Sequence, residues 1–170
     1  GTVTTVNEDS SATMAAGGTV YVQESDEVDG LGTLIVDGRG RSVGFMTLLS
    51  KDVIGADEPF RSVILRNAGK LRVMDGTTLK VVGGLSLASK AALSVEPGGA
   101  LEFVGGGETT FTGASLATID TLICTNAGKT IRFGTAAADK LTVAAGKNLI
   151  LRGTEESPVT LASAVDGTPW

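Results

Sequence analysis

Residues 91–107, AALSVEPGGALEFVGGG, write one short phrase twice: an apolar–polar–apolar triad, then glycine. The phrase returns along most of the chain, as LRV at 71–73, LKV at 79–81, LSL at 85–87, LSV at 93–95 and LEF at 101–103. After an irregular patch it resumes as LIC at 122–124, IRF at 131–133, LTV at 141–143, LIL at 149–151 and VTL at 159–161. Alternation with a period of two sends every other side chain to one face, which marks a half-buried strand. The stops between triads are turn chemistry: MDGT, EPGG, GGGE, TNAGK, AAGK and RGTE. Gly and Asn adopt positive φ there at little steric cost.

Strands this short, with 24 glycines, exclude a helical bundle. Two all-β architectures remain. A β-sandwich shows short, regularly spaced strands, but few Asn-Gly or Asp-Gly pairs sit where its tight antiparallel hairpins would want them. A solenoid repeats one task per coil, which suits the monotony of the triads. The pattern therefore predicts a single-stranded parallel β-helix with coils of about 18–25 residues, roughly five of them across 64–170.

The sequence GKLRVMDGTTLKVVGGLSL and the C-terminal DKLTVAAGKNLILRGTEESPVTLASAVDGTPW resemble the coils of secreted bacterial right-handed parallel β-helix proteins. That group spans autotransporter-passenger-like and adhesin-like chains and, more distantly, pectate-lyase-like enzymes. The resemblance covers roughly residues 64–170. It implies an extracellular or cell-surface setting and a structural or adhesive role, with a polysaccharide or cell-surface ligand as the partner class. The alternative is the N-terminal part of a polysaccharide-active lyase or glycoside hydrolase.

Residues 1–63 fit the repeat poorly. GTVYV at 18–22 and GTLIV at 32–36 read as strands, and a short helix is expected near 45–52. A solenoid end exposes unpaired backbone that templates edge-to-edge pairing, so this segment reads as an irregular capping region. At the other end, Val159 and Leu161 open another coil shortly before Trp170. The expectation is that the coils continue beyond residue 170, and that an uncapped last coil self-associates end to end.

The alternation fixes a register. Leu71, Val73, Leu79, Val81, Leu93, Val95, Leu101, Phe103, Ile131, Phe133, Leu141, Val143, Leu149 and Leu151 are expected inward, with Cys124 as a small core hydrophobe. Arg72, Lys80, Ser86, Ser94, Glu102, Ile123, Arg132, Thr142, Ile150 and Thr160 are expected outward, as is Tyr21.

That outward set holds a single acid. Glycoside hydrolysis needs two carboxyls and metal-assisted lysis needs several, so no catalytic residue is assigned. Histidine is absent and Cys124 is the only cysteine, which removes Ser-His and Cys-His chemistry and any transition-metal ligand set. No cofactor is implied, since neither G-x-G-x-x-G before a helix nor G-x-x-x-x-G-K-[ST] occurs. The one dense carboxylate cluster is Glu24, Asp26, Glu27 and Asp29. Its spacing is not that of a calcium loop, and it reads as a solvated acidic turn. A net charge of -5 disfavours nucleic acid. No apolar run approaches a membrane span, and the first residues lack the basic flank and apolar block of a signal peptide.

Overall fold

The computed structural model describes residues 18–23, 31–40, 46–51, 58–113, 117–136 and 140–168. Every regular element among them is a strand. These are β1 (Gly18–Val22), β2 (Thr33–Asp37), β3 (Thr47–Leu49), β4 (Phe60–Arg66), β5 (Lys70–Val73), β6 (Thr78–Leu87) and β7 (Ala92–Val95). There follow β8 (Ala100–Phe103), β9 (Glu108–Gly113), β10 (Ala117–Cys124), β11 (Thr130–Phe133), β12 (Leu141–Leu151) and β13 (Thr160–Ser163). They form a β-solenoid of about four turns with stacked parallel coils.

Each coil has three sides. The first side stacks β2, β4, the C-terminal half of β6, β9, β11 and β13. The second stacks β3, β5, β7 and the N-terminal halves of β10 and β12. The third stacks the N-terminal half of β6, β8 and the C-terminal halves of β10 and β12. All of these ladders are parallel, which rules out the antiparallel sandwich. Among the described residues the only antiparallel pair is β1 on β2, where β1 covers the edge of β2 on the first side.

The triads set the register as the alternation requires. On the third side Leu79 lies over Leu101, Leu101 over Leu122, and Leu122 over Leu149. On the first side Leu34, Val63, Leu85, Phe111 and Phe133 follow one another on five stacked strands. The Phe111 and Phe133 rings meet at 6.1 Å between centroids. Burial of each such side chain contributes on the order of 1.5–3 kcal/mol, so one continuous inner column supplies most of the driving force.

The corners share a turn design. Six turns close with an i to i+3 bond, in which the N–H groups of Gly69, Thr77, Ala91, Gly99, Lys129 and Thr168 donate to the carbonyls of Arg66, Met74, Ala88, Glu96, Asn126 and Val165. In each, the third residue takes positive φ: Ala68, Gly76, Lys90, Gly98, Gly128 and Gly167. That is the type II pattern, except at 66–69, where Asn67 is positive as well and the turn is type I′. Gly98 shows why glycine is favoured: its φ of +85° is one that L side chains rarely adopt, and a Cβ there would also displace the Asp75 carboxylate of the preceding corner.

Several sequence expectations change. The helix expected near 45–52 is, at its described residues, strand β3 pairing parallel with β5. Parallel stacking begins at β2, N-terminal to residue 64. Residues 64–170 hold four coils and the opening strand of another, β13, because the C-terminal corners are longer than the average spacing implied. Tyr21 points inward. It sits opposite Leu34 on the buried face of β2, packs edge-on against Phe60 at 6.2 Å, and accepts a hydrogen bond from the Gly32 N–H. The neighbouring Val20 and Val22 take the exposed positions instead. The antiparallel pairing with β2 decides this, a partner that local hydropathy does not reveal.

Leu149 also departs from expectation. Leu79 and Leu101 are 0% exposed and Leu122 is 5% exposed, yet Leu149, in the same inward row, is 56% exposed. The orientation is as expected, but no described coil lies above it. Truncation should register this difference. Leu101→Ala should cost about 2–5 kcal/mol in urea denaturation, and Leu149→Ala less than about 1 kcal/mol. Equal costs at the two positions would contradict the stacking order.

Candidate functional site

Most outward positions fall on the outer surface as the alternation places them. On the second side Leu48, Arg72, Ser94, Thr118 and Thr142 form one row across successive coils. On the third side the row is Lys80, Glu102, Ile123 and Ile150. Ser94 is a partial exception, because its hydroxyl is covered and has no hydrogen-bond partner among the described residues. Glu102 remains the only acid in the middle of a triad.

Reading only triad centres missed the acids at corners and strand ends. Five of those acids are tied to cations of a neighbouring coil. Arg66 Nε meets Asp37 Oδ2 at 2.8 Å, and Arg72 Nη1 meets Glu96 Oε1 at 3.5 Å. Arg132 reaches Glu108 at 2.9 Å on one side and Asp166 at 3.1 Å on the other, and donates to the Ser163 carbonyl. Lys147 Nζ lies 2.7 Å from Asp120 Oδ1. Each pair joins one coil to the next. Exposed pairs of this kind contribute only about 0–1 kcal/mol apiece. Their consequence is directional: opposite charges one coil apart favour one register over its neighbours.

Two of these carboxylates titrate below the ordinary range. Asp120 is lowered chiefly by the hydrogen bond from Lys147, and Asp37 chiefly by the Arg39 N–H and the Asn67 side chain. Asp120 is the better buried of the two and sits at the β10 bulge that turns the second side into the third. It also accepts from the Gly98 N–H of the coil before.

The corner between the third and first sides holds a residue that the sequence reading passed over. Lys129 is fully buried. Its ammonium donates to the Val82 carbonyl at 2.7 Å and the Val104 carbonyl at 2.9 Å, at the same corner in the two preceding coils. The Thr109 hydroxyl donates to the same Val82 oxygen. One side chain thus bridges three successive coils from inside. Burial pushes the Lys129 ammonium below the ordinary lysine value. A signal was present: counting back by two from the inward Ile131 places residue 129 inward, where Gly69, Thr77, Ala91 and Gly99 sit in equivalent turns. The tripeptide Gly128-Lys129-Thr130 carries the letters of a phosphate loop, but here the lysine faces main-chain carbonyls inside a β corner.

Cys124 is buried, as expected. Burial pushes its thiol above the ordinary value, and the Asn126 N–H and the nearby Lys129 charge work against that shift. A raised thiol pKa disfavours the nucleophilic thiolate. Among the described residues no group of three His, Cys, Asp or Glu is placed to hold a metal ion. No helix among them is long and apolar enough to cross a membrane. Glu24, Asp26, Glu27, Asp29 and Trp170 lie outside the described residues.

No protein-family model matches the chain, and comparisons with curated proteins and with solved structures return no significant match.

Lys129 gives the sharpest test of this interior. Lys129→Met keeps length and removes the donors, so Val104 loses a charged partner and Val82 keeps only Thr109. The variant should be less stable by about 1–3 kcal/mol in denaturant titration. Equal or greater stability would mean that burying the ammonium costs more than its two bonds return.

Proposed function

We propose that this chain is a structural or adhesive segment of an extracellular or cell-surface protein. It acts as a rigid three-sided rod that spaces or displays other elements and carries no catalytic site of its own. The observation supporting this reading is where the charge goes. Asp37, Glu96, Glu108, Asp120 and Asp166 each meet a cation of an adjacent coil, rather than converging on a shared cleft. Carboxylates used this way favour one stacking register. Hydrolytic or lyase chemistry instead needs a second acid or a metal beside the first.

The adhesive part of the reading rests on the outer surface. Its rows mix hydroxyls with half-buried aliphatics, including Ser94, Thr118, Thr142, Ile123 and Ile150. Repeats at the strand spacing of about 4.8 Å present such groups periodically along the rod, as an extended polymer presents its sugars. The ligand class this fits is a polysaccharide.

The purified chain should be incubated with neutral and acidic polysaccharides, scoring retention on the insoluble polymer alongside release of new reducing ends or unsaturated uronic acid. The proposal expects retention on at least one polymer and no product. Release of product in proportion to added chain would overturn it in favour of an enzyme, and absence of both signals would remove the adhesive role.

A further inference from the structure

We propose that the corner between the second and third sides binds one neutral pyranose unit of a polysaccharide, in a recess where one coil cuts that corner short. The recess follows from the register. Five residues (74–78) separate the inward Val73 from Leu79, five (96–100) separate Val95 from Leu101, and five (144–148) separate Val143 from Leu149. Between Ile119 and Leu122, their partners in the intervening coil, there are only two, Asp120 and Thr121. The β10 ladder holds its register on both sides of this step, and its shift is confined to Ile119–Thr121. The missing residues are therefore those of an outward excursion. The excursions before and after it carry the exposed Pro97, Gly98, Ala145 and Gly146, while Asp120 is 8% exposed. They lie two strand spacings apart, about 9.6 Å, so the recess between them is about one spacing thick. That thickness suits a single sugar ring.

The floor of the recess is polar and loosely satisfied. Asp120 Oδ2 accepts from the Gly98 N–H at 3.4 Å and from the Thr121 hydroxyl at 3.3 Å, both longer than ordinary bonds of those types. Lys147 reaches Oδ1 at 2.7 Å from the next coil, with its side chain 38% exposed. The hydrogen bond from Lys147 chiefly holds Asp120 below the usual carboxylate range, so at neutral pH this group only accepts. An exposed pair of this kind is weakly held, so entering hydroxyls can share its partners. A carboxylate acceptor beside an ammonium donor matches two vicinal hydroxyls of a pyranose. One hydroxyl donates to Asp120 while its neighbour accepts from Lys147. A neutral ring fits better than a uronate, because Asp75 and Glu96 add negative charge at the two preceding corners. This assignment rests on the adhesive reading and narrows it to one corner, away from the row of Ser94, Thr118 and Thr142.

Neutral hexasaccharides of glucose, mannose and galactose, with hexagalacturonate as the charged counterpart, should be titrated into the isotope-labelled 170-residue chain. At least one neutral hexasaccharide should shift the amide signals of Gly98, Thr121 and Lys147 saturably, and hexagalacturonate should not. Lys147→Met and Asp120→Asn should each weaken that binding about tenfold or more with an unchanged far-ultraviolet spectrum. Thr142→Ala, on the outer row of the second side, should leave it unchanged. If Asp120→Asn fails to fold, Lys147→Met decides alone, because it alters an exposed side chain. Binding that survives Lys147→Met, or that falls only in Thr142→Ala, would overturn the recess and leave the adhesive reading standing. Stronger shifts with hexagalacturonate, or retention on an insoluble polymer without shifts at the recess, would do the same. No binding to any saccharide would overturn both.

Discussion

A single parallel coil cannot bury its own inward side chains or satisfy both edges of its own backbone. Everything in this protein follows from solving that problem by repetition. Leu79, Leu101 and Leu122 are buried because each has another coil over it, and Leu149 is exposed because it does not. The same step is made by main-chain bonds, as when the Ala92 N–H donates to Gly69 and the Ala100 N–H to Thr77. Stability in such an array is close to a sum over neighbouring coils, so the ends are its weakest points. Among the described residues an antiparallel strand, β1, covers the edge of β2, and β12 pairs only with β10.

Stacking alone does not fix register, because a ladder of Leu and Val tolerates a slip of two residues without exposing its core. The corners and ion pairs remove that freedom. Turns with a positive-φ third residue set where each side ends, and at Gly98 the φ of +85° disfavours any residue with a side chain. Outside, Asp37, Arg72, Arg132 and Asp120 reach their partners only at one offset. Inside, Lys129 meets Val82 and Val104 only if three coils are aligned at that corner. These contacts add modestly to stability and strongly to uniqueness, which suits a rod that must present its surface rows in line.

Much of the fold was legible because the period-two pattern is local. Leu93, Leu101, Phe103 and Ile131 are buried where alternation places them, and Arg72, Glu102 and Thr142 face out. What was not legible depends on partners distant in sequence. Tyr21 turns inward because β1 pairs antiparallel with β2, and a three-residue strand such as β3 has too few positions to declare a period. Corner acids were missed because a census of triad centres skips corners. Lys129 was missed because a lysine in a glycine turn reads as solvated, although its parity with Ile131 pointed in.

The outward rows run straight along the stack, one residue per coil. Arg72, Ser94, Thr118 and Thr142 are successive partners on the second side. Three strand spacings of about 4.8 Å therefore separate the first from the last by about 14 Å of backbone. Nitroxides on Arg72→Cys and Thr142→Cys in the dilute monomer measure this directly, since Cys124 is buried. A narrow distribution centred between about 15 and 25 Å is expected, once label length is added to those three spacings. A broad distribution, or a distance beyond about 35 Å, more than twice the stacked backbone separation, would contradict stacked parallel coils.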